Sequence, residues 1–321
     1  MGVFLGIDIG SVSTNLVLVD KEGKIKDSIY LKTCGDPIRV LQKGLQDLSG
    51  RWRDSSVEGV GATGSGRRLA GVMMGADVVR TEITAHAVAA LKVDPRVKTV
   101  LEIGGQDSKI ILLRDGIVTD FAMNTVCAAG TGSFLDRQAA RLGIPIEKFG
   151  ELALQAELPV QIAGRCAVFA ESDMVHKQQL GHKMEDLLLG LCQALVRNYL
   201  ANVAKGKDIK APILFQGGVA ANLGMKLSFE KELNLPLKVP PHYDVMGALG
   251  AALLAQHAVR KNGTNFRGFS VGEMDYRVSG FTCPHCANQC EIVEIYADGE
   301  VQTCWGGRCG RWEAKNNLQK N

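Results

Sequence analysis

The sequence has no stretch of about 18 uninterrupted apolar residues, which removes the simplest way to cross a bilayer. Its first residues, Met1-Gly2-Val3-Phe4-Leu5-Gly6-Ile7-Asp8, lack a basic lead-in and soon reach an aspartate, so they read as a strand and not as a secretory signal. Gly6 stands where a myristoylation signal needs Ser or Thr. Charge of one sign is also missing. Lys and Arg number 37 against 34 Asp and Glu, a formal net charge of +3, and no dense basic run or interleaved aromatic platform occurs. That argues against nucleic acid and against a membrane surface as partners. With no export signal, the nine cysteines point to metal or redox work in the cytoplasm and not to a disulfide framework.

What is present is an ordinary globular composition, 46% hydrophobic and 22% charged, in 321 residues, enough for two or three domains. Residues 3–8 and 15–19 are short apolar runs flanking Gly10-Ser11-Val12-Ser13-Thr14. A third strand over 24–32, a helix over 37–48 and a strand over 57–61 follow. The strand–glycine turn–strand pattern restarts at 98–113 around Gly104-Gly105-Gln106-Asp107, a duplication of pattern without obvious identity. Helices are predicted over 133–142, 167–176 and 183–204, and a strand over 211–219. The expected organisation is a first α/β subdomain over 1–95, completed by a helix over 244–260, and a second over 96–243. A linker over 262–268 then leads to a cysteine-rich domain over 268–321. Two such α/β halves make a cleft in which a ligand would sit.

Three glycine-containing stretches are candidates for nucleotide chemistry. In the first, Gly10, Ser11, Ser13, Thr14 and Asn15 can turn backbone N–H groups and hydroxyls toward phosphate, and Asp8 can hold Mg²⁺ through water. In the second, Gly104 and Gly105 repeat the turn, Gln106 or Asp107 can orient an attacking water, and Lys109 can neutralise phosphate charge. In the third, Gly217 and Gly218 allow close approach of a purine or ribose, and Asn222 supplies an amide. Gly130-Thr131-Gly132 forms a further phosphate-like loop three residues after Cys127, and Cys166 follows Gly164-Arg165 at a second predicted helix start. Two thiolates cannot fill a cluster that takes four ligands, but two copies of the chain about a two-fold axis could.

The order of these pieces resembles the actin-like, hexokinase-like and Hsp70-like (RNase H-like) ATPase superfamily. More narrowly, Ala62-Thr63-Gly64-Ser65-Gly66-Arg67, Glu82-Ile83-Thr84-Ala85-His86, Ile103-Gly104-Gly105-Gln106-Asp107, Cys127-Ala128-Ala129-Gly130-Thr131-Gly132 and Gly217-Gly218-Val219-Ala220-Ala221-Asn222 are similar to one branch. That branch holds the activators of 2-hydroxyacyl-CoA dehydratases and the benzoyl-CoA reductase ATPases, and the resemblance covers roughly residues 3–258. It implies ATP/ADP with Mg²⁺ and a homodimer sharing one [4Fe–4S] cluster on Cys127 and Cys166 of each subunit. It also implies a ferredoxin or flavodoxin donor. ATP hydrolysis would drive single electrons into an iron–sulfur acceptor, either a 2-hydroxyacyl-CoA dehydratase or a double-cubane cluster protein. Activators often carry a lysine near position 15, where this chain has Asn15.

The terminal block adds Cys283, Cys286, Cys290, Cys304 and Cys309 around a hairpin predicted over 292–305. Cys283, Cys286, Cys304 and Cys309 suit a zinc ribbon, whereas Cys283, Cys286, Cys290 and Cys309 suit a [4Fe–4S] cluster. Two other readings compete. A sugar or N-acetylhexosamine kinase shares this ATPase fold but gives no reason for Cys127 and Cys166. A non-enzymatic metal-dependent regulator would use the terminal block alone. Cys34 and Cys192 read as structural, and His86 as a packed helix residue.

Overall fold

A computed structural model describes residues 2–124, 130–259 and 263–312. The chain divides into two units: residues 1–10, 14–80 and 251–321 form the first, and residues 11–13 and 81–250 the second.

The first unit is built on a five-stranded sheet of β1 (Val3–Ile9), β2 (Ser13–Val19), β3 (Ile25–Lys32), β4 (Val57–Thr63) and β5 (Val78–Val79), in the order β3-β2-β1-β4-β5. β1 runs antiparallel to β2 and parallel to β4. β1, β2 and β4 are nearly continuous runs of buried residues, as strands covered on both faces are. Helix α1 (Pro37–Ser49) begins on Asp36, whose carboxylate accepts the Arg39 N–H at 3.1 Å, with Pro37 in the first turn. Leu41, Leu45 and Leu48 recur at helical spacing and are buried against the sheet with α2 (Arg67–Met74).

The second unit repeats this topology. Its sheet contains β6 (Thr99–Ile103), β7 (Ser108–Arg114), β8 (Ile117–Asn124), β9 (Ile213–Gln216) and β10 (Leu237–Lys238), in the order β8-β7-β6-β9-β10. Again the first strand is antiparallel to its hairpin partner and parallel to the strand that arrives later. Helices α3 (Glu82–Val93), α4 (Gly132–Leu142), α5 (Ile146–Ala153), α6 (Ala167–Gln179), α7 (Met184–Asn202) and α8 (Leu223–Leu233) surround it. Tyr199, Phe215 and Phe229 form an edge-to-face group in its core, with ring centroids 5.3 and 5.4 Å apart. Helix α9 (Met246–Ala258) is shared, dividing between Gly250 and Ala251.

The cysteine-rich block belongs to the first unit and shares its core. A 3-10 turn at Phe269–Glu273 lies on α1, where Gln46 Nε2 donates to the Gly272 carbonyl at 2.9 Å and Gln42 Nε2 to that of Met274 at 2.7 Å. Phe269, Val271, Tyr276, Ile295 and Ala297 join Leu41, Leu45 and Leu48 in one apolar cluster. The predicted hairpin is present as β12 (Glu291–Ala297) and β13 (Glu300–Trp305), and β11 (Tyr276–Thr282) adds a strand the sequence reading did not contain.

Candidate functional site

The two sheets match residue by residue at their functional ends. In the first unit Asp8 lies opposite Asn15 across the hairpin and beside Thr63 on the parallel strand. In the second, Glu102 lies opposite Lys109 and beside Gln216. Each parallel strand is followed by a glycine at positive φ, Gly64 at +90° and Gly217 at +86°. A Cβ at Gly64 would collide with the Ile9 carbonyl and the Asp8 carboxylate, and one at Gly217 with the Ile103 carbonyl. Glycine is needed at both places because the backbone crosses directly over an acid-bearing strand end. The Thr63 hydroxyl and the Gln216 amide oxygen, equivalent in position, are both buried with no hydrogen-bond partner.

The predicted residues of the first hairpin are held tightly. Thr33 Oγ1 donates to the Gly10 carbonyl at 2.9 Å and lies 3.0 Å from Thr14 Oγ1. Asn15 is buried, while Ser11 is exposed and Asp8 and Ser13 are half-buried.

The second hairpin concentrates charge. Lys109 Nζ contacts Glu82 Oε2 at 2.8 Å, Glu102 Oε2 at 2.9 Å and Asp107 Oδ1 at 2.7 Å, and its side chain is 2% exposed. The Tyr199 hydroxyl fixes the Lys109 carbonyl at 2.7 Å. Burial would lower the Lys109 ammonium, but Glu102, Asp107 and Glu82 together lift it above its ordinary range. Burial raises Glu102 to about 7, against the pull of Lys109. His86, also on α3, is held down to about 3 by burial and by Lys109, opposed by Glu82. It is therefore neutral, with Nδ1 2.7 Å from Gln216 Nε2, which donates to it. Gln106 and Asp107 stand at the open end, Gln106 exposed and Asp107 with a third of its side chain in solvent.

Glu82, Glu102, Ser108 and Gln216 had no assigned role in the sequence reading. The available signal was an acid inside the apolar run Thr99-Val100-Leu101-Glu102-Ile103, since buried carboxylates are rarely unpaired. Ser108 Oγ is buried with no hydrogen-bond partner, as is Asn222 Nδ2, while Asn222 Oδ1 caps α8 by accepting the Met225 N–H at 3.0 Å. Gly218, beside Gly217, is exposed.

The Gly130-Thr131-Gly132 loop is tied to this hairpin. Gly132 N–H donates to the Gly104 carbonyl at 2.9 Å and Ser133 N–H to that of Gly105 at 2.8 Å. These first N–H groups of α4 are thus spent on the turn that bears Gln106 and Asp107. Cys127 lies outside the described residues. Cys166 occupies the N-cap position of α6, half-buried and with no side-chain cap bond, and Val168 and Phe169 just beyond it are 69% and 66% exposed. Asn198 of α7 donates to the Gly164 carbonyl at 2.7 Å, and a Cβ at Gly130 would lie 3.0 Å from its Oδ1. The loop leading to Cys166 and the loop following Cys127 therefore meet at one residue.

In the terminal block Cys283 and Cys304 are buried with Ile292, and Cys290 packs against them. Cys286 and Cys309 are exposed. Trp312 Nε1 donates to Cys283 Sγ at 3.4 Å and, with the His285 N–H, lowers that thiol below its ordinary range. Among the described residues no three His, Cys, Asp or Glu side chains are assembled as a metal site.

Two duplicated α/β units, each with an acid and a crossing glycine at corresponding strand ends, define the actin/hexokinase-like ATPase fold. The chain belongs to the BadF/BadG/BcrA/BcrD ATPase family, whose sequence profile matches residues 5–255. It is 34% identical over 262 residues to the (R)-2-hydroxyglutaryl-CoA dehydratase activating ATPase of Acidaminococcus fermentans, covering 80% of this chain and 98% of that protein. A component chain of the benzoyl-CoA reductase of Thauera aromatica is 29% identical over 274 residues, covering 79% and 93%. The crystal structure of the Acidaminococcus fermentans dehydratase component A superposes with a TM-score of 0.74 at 32% identity, covering 81% of this chain and 100% of that one. The Clostridium difficile activator of 2-hydroxyisocaproyl-CoA dehydratase, solved with bound ADPNP, gives 0.73 at 30%, covering 81% and 96%. A ROK family glucokinase from Streptomyces griseus, at 16% identity, shares the fold alone, with a TM-score of 0.52 over 80% of this chain and 100% of that one. The terminal block lies beyond the matched residues.

Proposed function

We propose that this chain is an ATP-driven one-electron reductase, an activator of an iron–sulfur acceptor enzyme such as a 2-hydroxyacyl-CoA dehydratase or a double-cubane cluster protein. The observation that supports it most is the pair of hydrogen bonds from Gly132 and Ser133 to Gly104 and Gly105. They join the turn bearing Gln106 and Asp107 to the helix that starts just after Cys127, so a change at one is felt at the other.

The nucleotide fits the residues present. In the first unit the buried Thr63 hydroxyl has no hydrogen-bond partner; in the second the buried Ser108 hydroxyl, Gln216 Oε1 and Asn222 Nδ2 have none; and Gly64 and Gly217 each keep their own strand end free of a side chain. Gly10, Ser11, Ser13, Thr14 and Asn15 would line one phosphate hairpin, and Asp8 would be the carboxylate that holds Mg²⁺. Gln106 and Asp107 orient the attacking water. As its oxygen bonds to the γ-phosphorus, the bridging P–O bond breaks, ADP leaves with that electron pair, and the water's proton passes to Asp107 and on to solvent.

Cys127 and Cys166 of two chains would supply the four thiolates of one [4Fe–4S] cluster in a homodimer. Such a cluster would supply one-electron transfer chemistry between a ferredoxin or flavodoxin donor and the acceptor. The α6 N-terminus beside Cys166, which has no side-chain cap bond, favours an anionic group there. The terminal thiols are a second metal-binding set, taking zinc on Cys283, Cys286, Cys304 and Cys309 or iron–sulfur on Cys283, Cys286, Cys290 and Cys309. As described, these side chains are not gathered for either, and no step is derived from them. The protein would work in the cytoplasm, away from membranes and nucleic acid.

Anaerobic purification with iron, sulfide and zinc assays and an EPR spectrum of the reduced protein tests the reading. The expected result is about four irons per dimer if the terminal blocks hold zinc, or about twelve if each holds a cluster, with about four of them lost in Cys166→Ser while Mg–ADP binding is retained. Iron that stays absent after anaerobic reconstitution, or undiminished electron delivery by Cys166→Ser, would refute it.

A further inference from the structure

We propose that Lys109 is a positioning residue that holds the Asp107 carboxylate at the mouth of the β6–β7 turn, and that it does not bind the phosphate chain. The inference rests on the ATPase reading above and assigns a part of the same site.

A lysine ammonium has three N–H donors and no acceptor. Three carboxylates surround this one, Glu82 at 2.8 Å, Glu102 at 2.9 Å and Asp107 at 2.7 Å. It donates hydrogen bonds to Glu102 and Asp107 and is ion-paired to Glu82, so its charge is already matched within the protein. With 2% of its side chain exposed, Lys109 has no surface to offer a phosphate oxygen. Its own backbone is fixed by the Tyr199 hydroxyl. The Gly104 N–H closes the turn on the Asp107 carbonyl at 3.0 Å, so both ends of Asp107 are anchored. Of the three acids, Glu102 is 5% and Glu82 19% exposed, while Asp107 is 34% exposed and is the one that meets water.

The duplication shows that the fold does not require this arrangement. At the equivalent ladder position the first unit places Asn15 opposite Asp8, and its sheet closes in the same way around the neutral amide. A lysine paired with carboxylates in one copy only is therefore a feature of the second unit's chemistry. Its effect is to fix the orientation of one Asp107 oxygen, leaving the other toward the open end. Misplacing a reacting group by about 1 Å costs on the order of 100-fold in rate.

The test uses the full-length protein with Mg–ADP for binding and Mg–ATP for turnover. Removing Lys109 alone strands buried acids, so Lys109→Met is paired with Lys109→Met/Glu102→Gln, which also takes away the most buried of the three acids. Expected for the folded variant is Mg–ADP affinity within about 3-fold of wild type, KM similarly unchanged, and kcat reduced about 100-fold. Asp107→Asn should cost as much, and adding Lys109→Met to it should cost nothing more, because the two side chains act as one unit. Weakened Mg–ADP binding with kcat retained would make Lys109 a phosphate ligand and overturn the assignment. So would losses that multiply in the Asp107→Asn/Lys109→Met double variant. A wild-type protein that binds no Mg–ATP would defeat the ATPase reading, and this assignment with it. That outcome is distinguishable because it appears before any substitution.

Discussion

Glu102 and His86 titrate in opposite senses over the same pH range, and their effects on stability should hide one another. The folded state raises Glu102 from its ordinary 4.5 to about 7. Between those values the native protein keeps a proton that the unfolded chain has released, so stability falls as pH rises. The folded state lowers His86 from 6.5 to about 3. Between those values the unfolded chain holds a proton that the native protein does not, so stability rises with pH. From pH 4.5 to 6.5 the two slopes oppose, each worth about 2 kcal/mol across the window. The charged neighbours are common to both: Lys109 and Glu82 face His86, while Lys109, Asp107 and Glu82 face Glu102. Lys109, lifted above its ordinary range, stays charged throughout.

Wild type should therefore show little pH dependence from this site in urea unfolding between pH 4.5 and 6.5. Glu102→Gln exposes the histidine slope and should gain about 2 kcal/mol over that range. His86→Gln, whose amide can still meet Gln216, exposes the glutamate slope and should lose about the same. At about 2–4 °C per kcal/mol for units of this size, either change is a displacement of roughly 4–8 °C between the ends of the range. If Glu102→Gln and wild type have the same slope, Glu102 does not hold its proton in the folded state, and the account of its burial is wrong.

Gly217→Ala should cost at least about 2 kcal/mol by urea unfolding, because φ +86° and ψ 167° lie in a region open almost only to glycine. Gly116→Ala, at φ +75° with open space around it, is the control and should cost about 1 kcal/mol. Phe269→Ala should destabilise the first unit by about 3–5 kcal/mol, since Phe269 is 4% exposed within the core it shares with α1; a loss under about 1 kcal/mol would show that the terminal block is only loosely attached. Cys192, fully buried and pushed up by that burial, should stay silent to a thiol reagent in the native protein while the exposed Cys34, Cys286 and Cys309 react.

The hairpins were legible because glycine turns between short apolar runs are local signals, and α1 was legible because Leu41, Leu45 and Leu48 follow helical spacing after Asp36-Pro37. Pairing was not. Nothing local tells that Glu102 stands opposite Lys109, because that depends on the register set by the turn. Read from its sequence, Lys109 is a candidate to neutralise phosphate; only the arrival of Glu82 on α3 shows that a third carboxylate is already paired with it. β11 was missed because Tyr276-Arg277-Val278-Ser279-Gly280-Phe281-Thr282 is mostly exposed and shows no apolar alternation. The turn at Phe269–Glu273, expected at the start of the cysteine-rich domain, is held by Gln42 and Gln46, residues more than 200 positions away.

The duplication separates what the fold demands from what the chemistry demands. Both units keep an acid near the end of the central strand, a hydrogen-bonding residue beside it on the parallel strand, and a glycine crossing above. These recur because the topology brings three chain segments to one point and leaves room for no side chain on the crossing one. The residue opposite the acid does not recur. An ammonium opposite Glu102, bonded to it and two further carboxylates, directs that charge inward. An amide opposite Asp8 leaves a half-buried carboxylate whose ladder partner brings no positive charge. A hydrated divalent cation is recognised by a carboxylate that keeps its negative charge, and a lysine across the ladder would compete for it. On this argument Asn15 suits the first hairpin to Mg²⁺ and Lys109 suits the second to holding the acid that faces water. Asn15→Lys should then weaken Mg²⁺-dependent nucleotide binding while leaving Mg²⁺-independent binding in place. Equal metal dependence in Asn15→Lys and wild type would refute the division of roles.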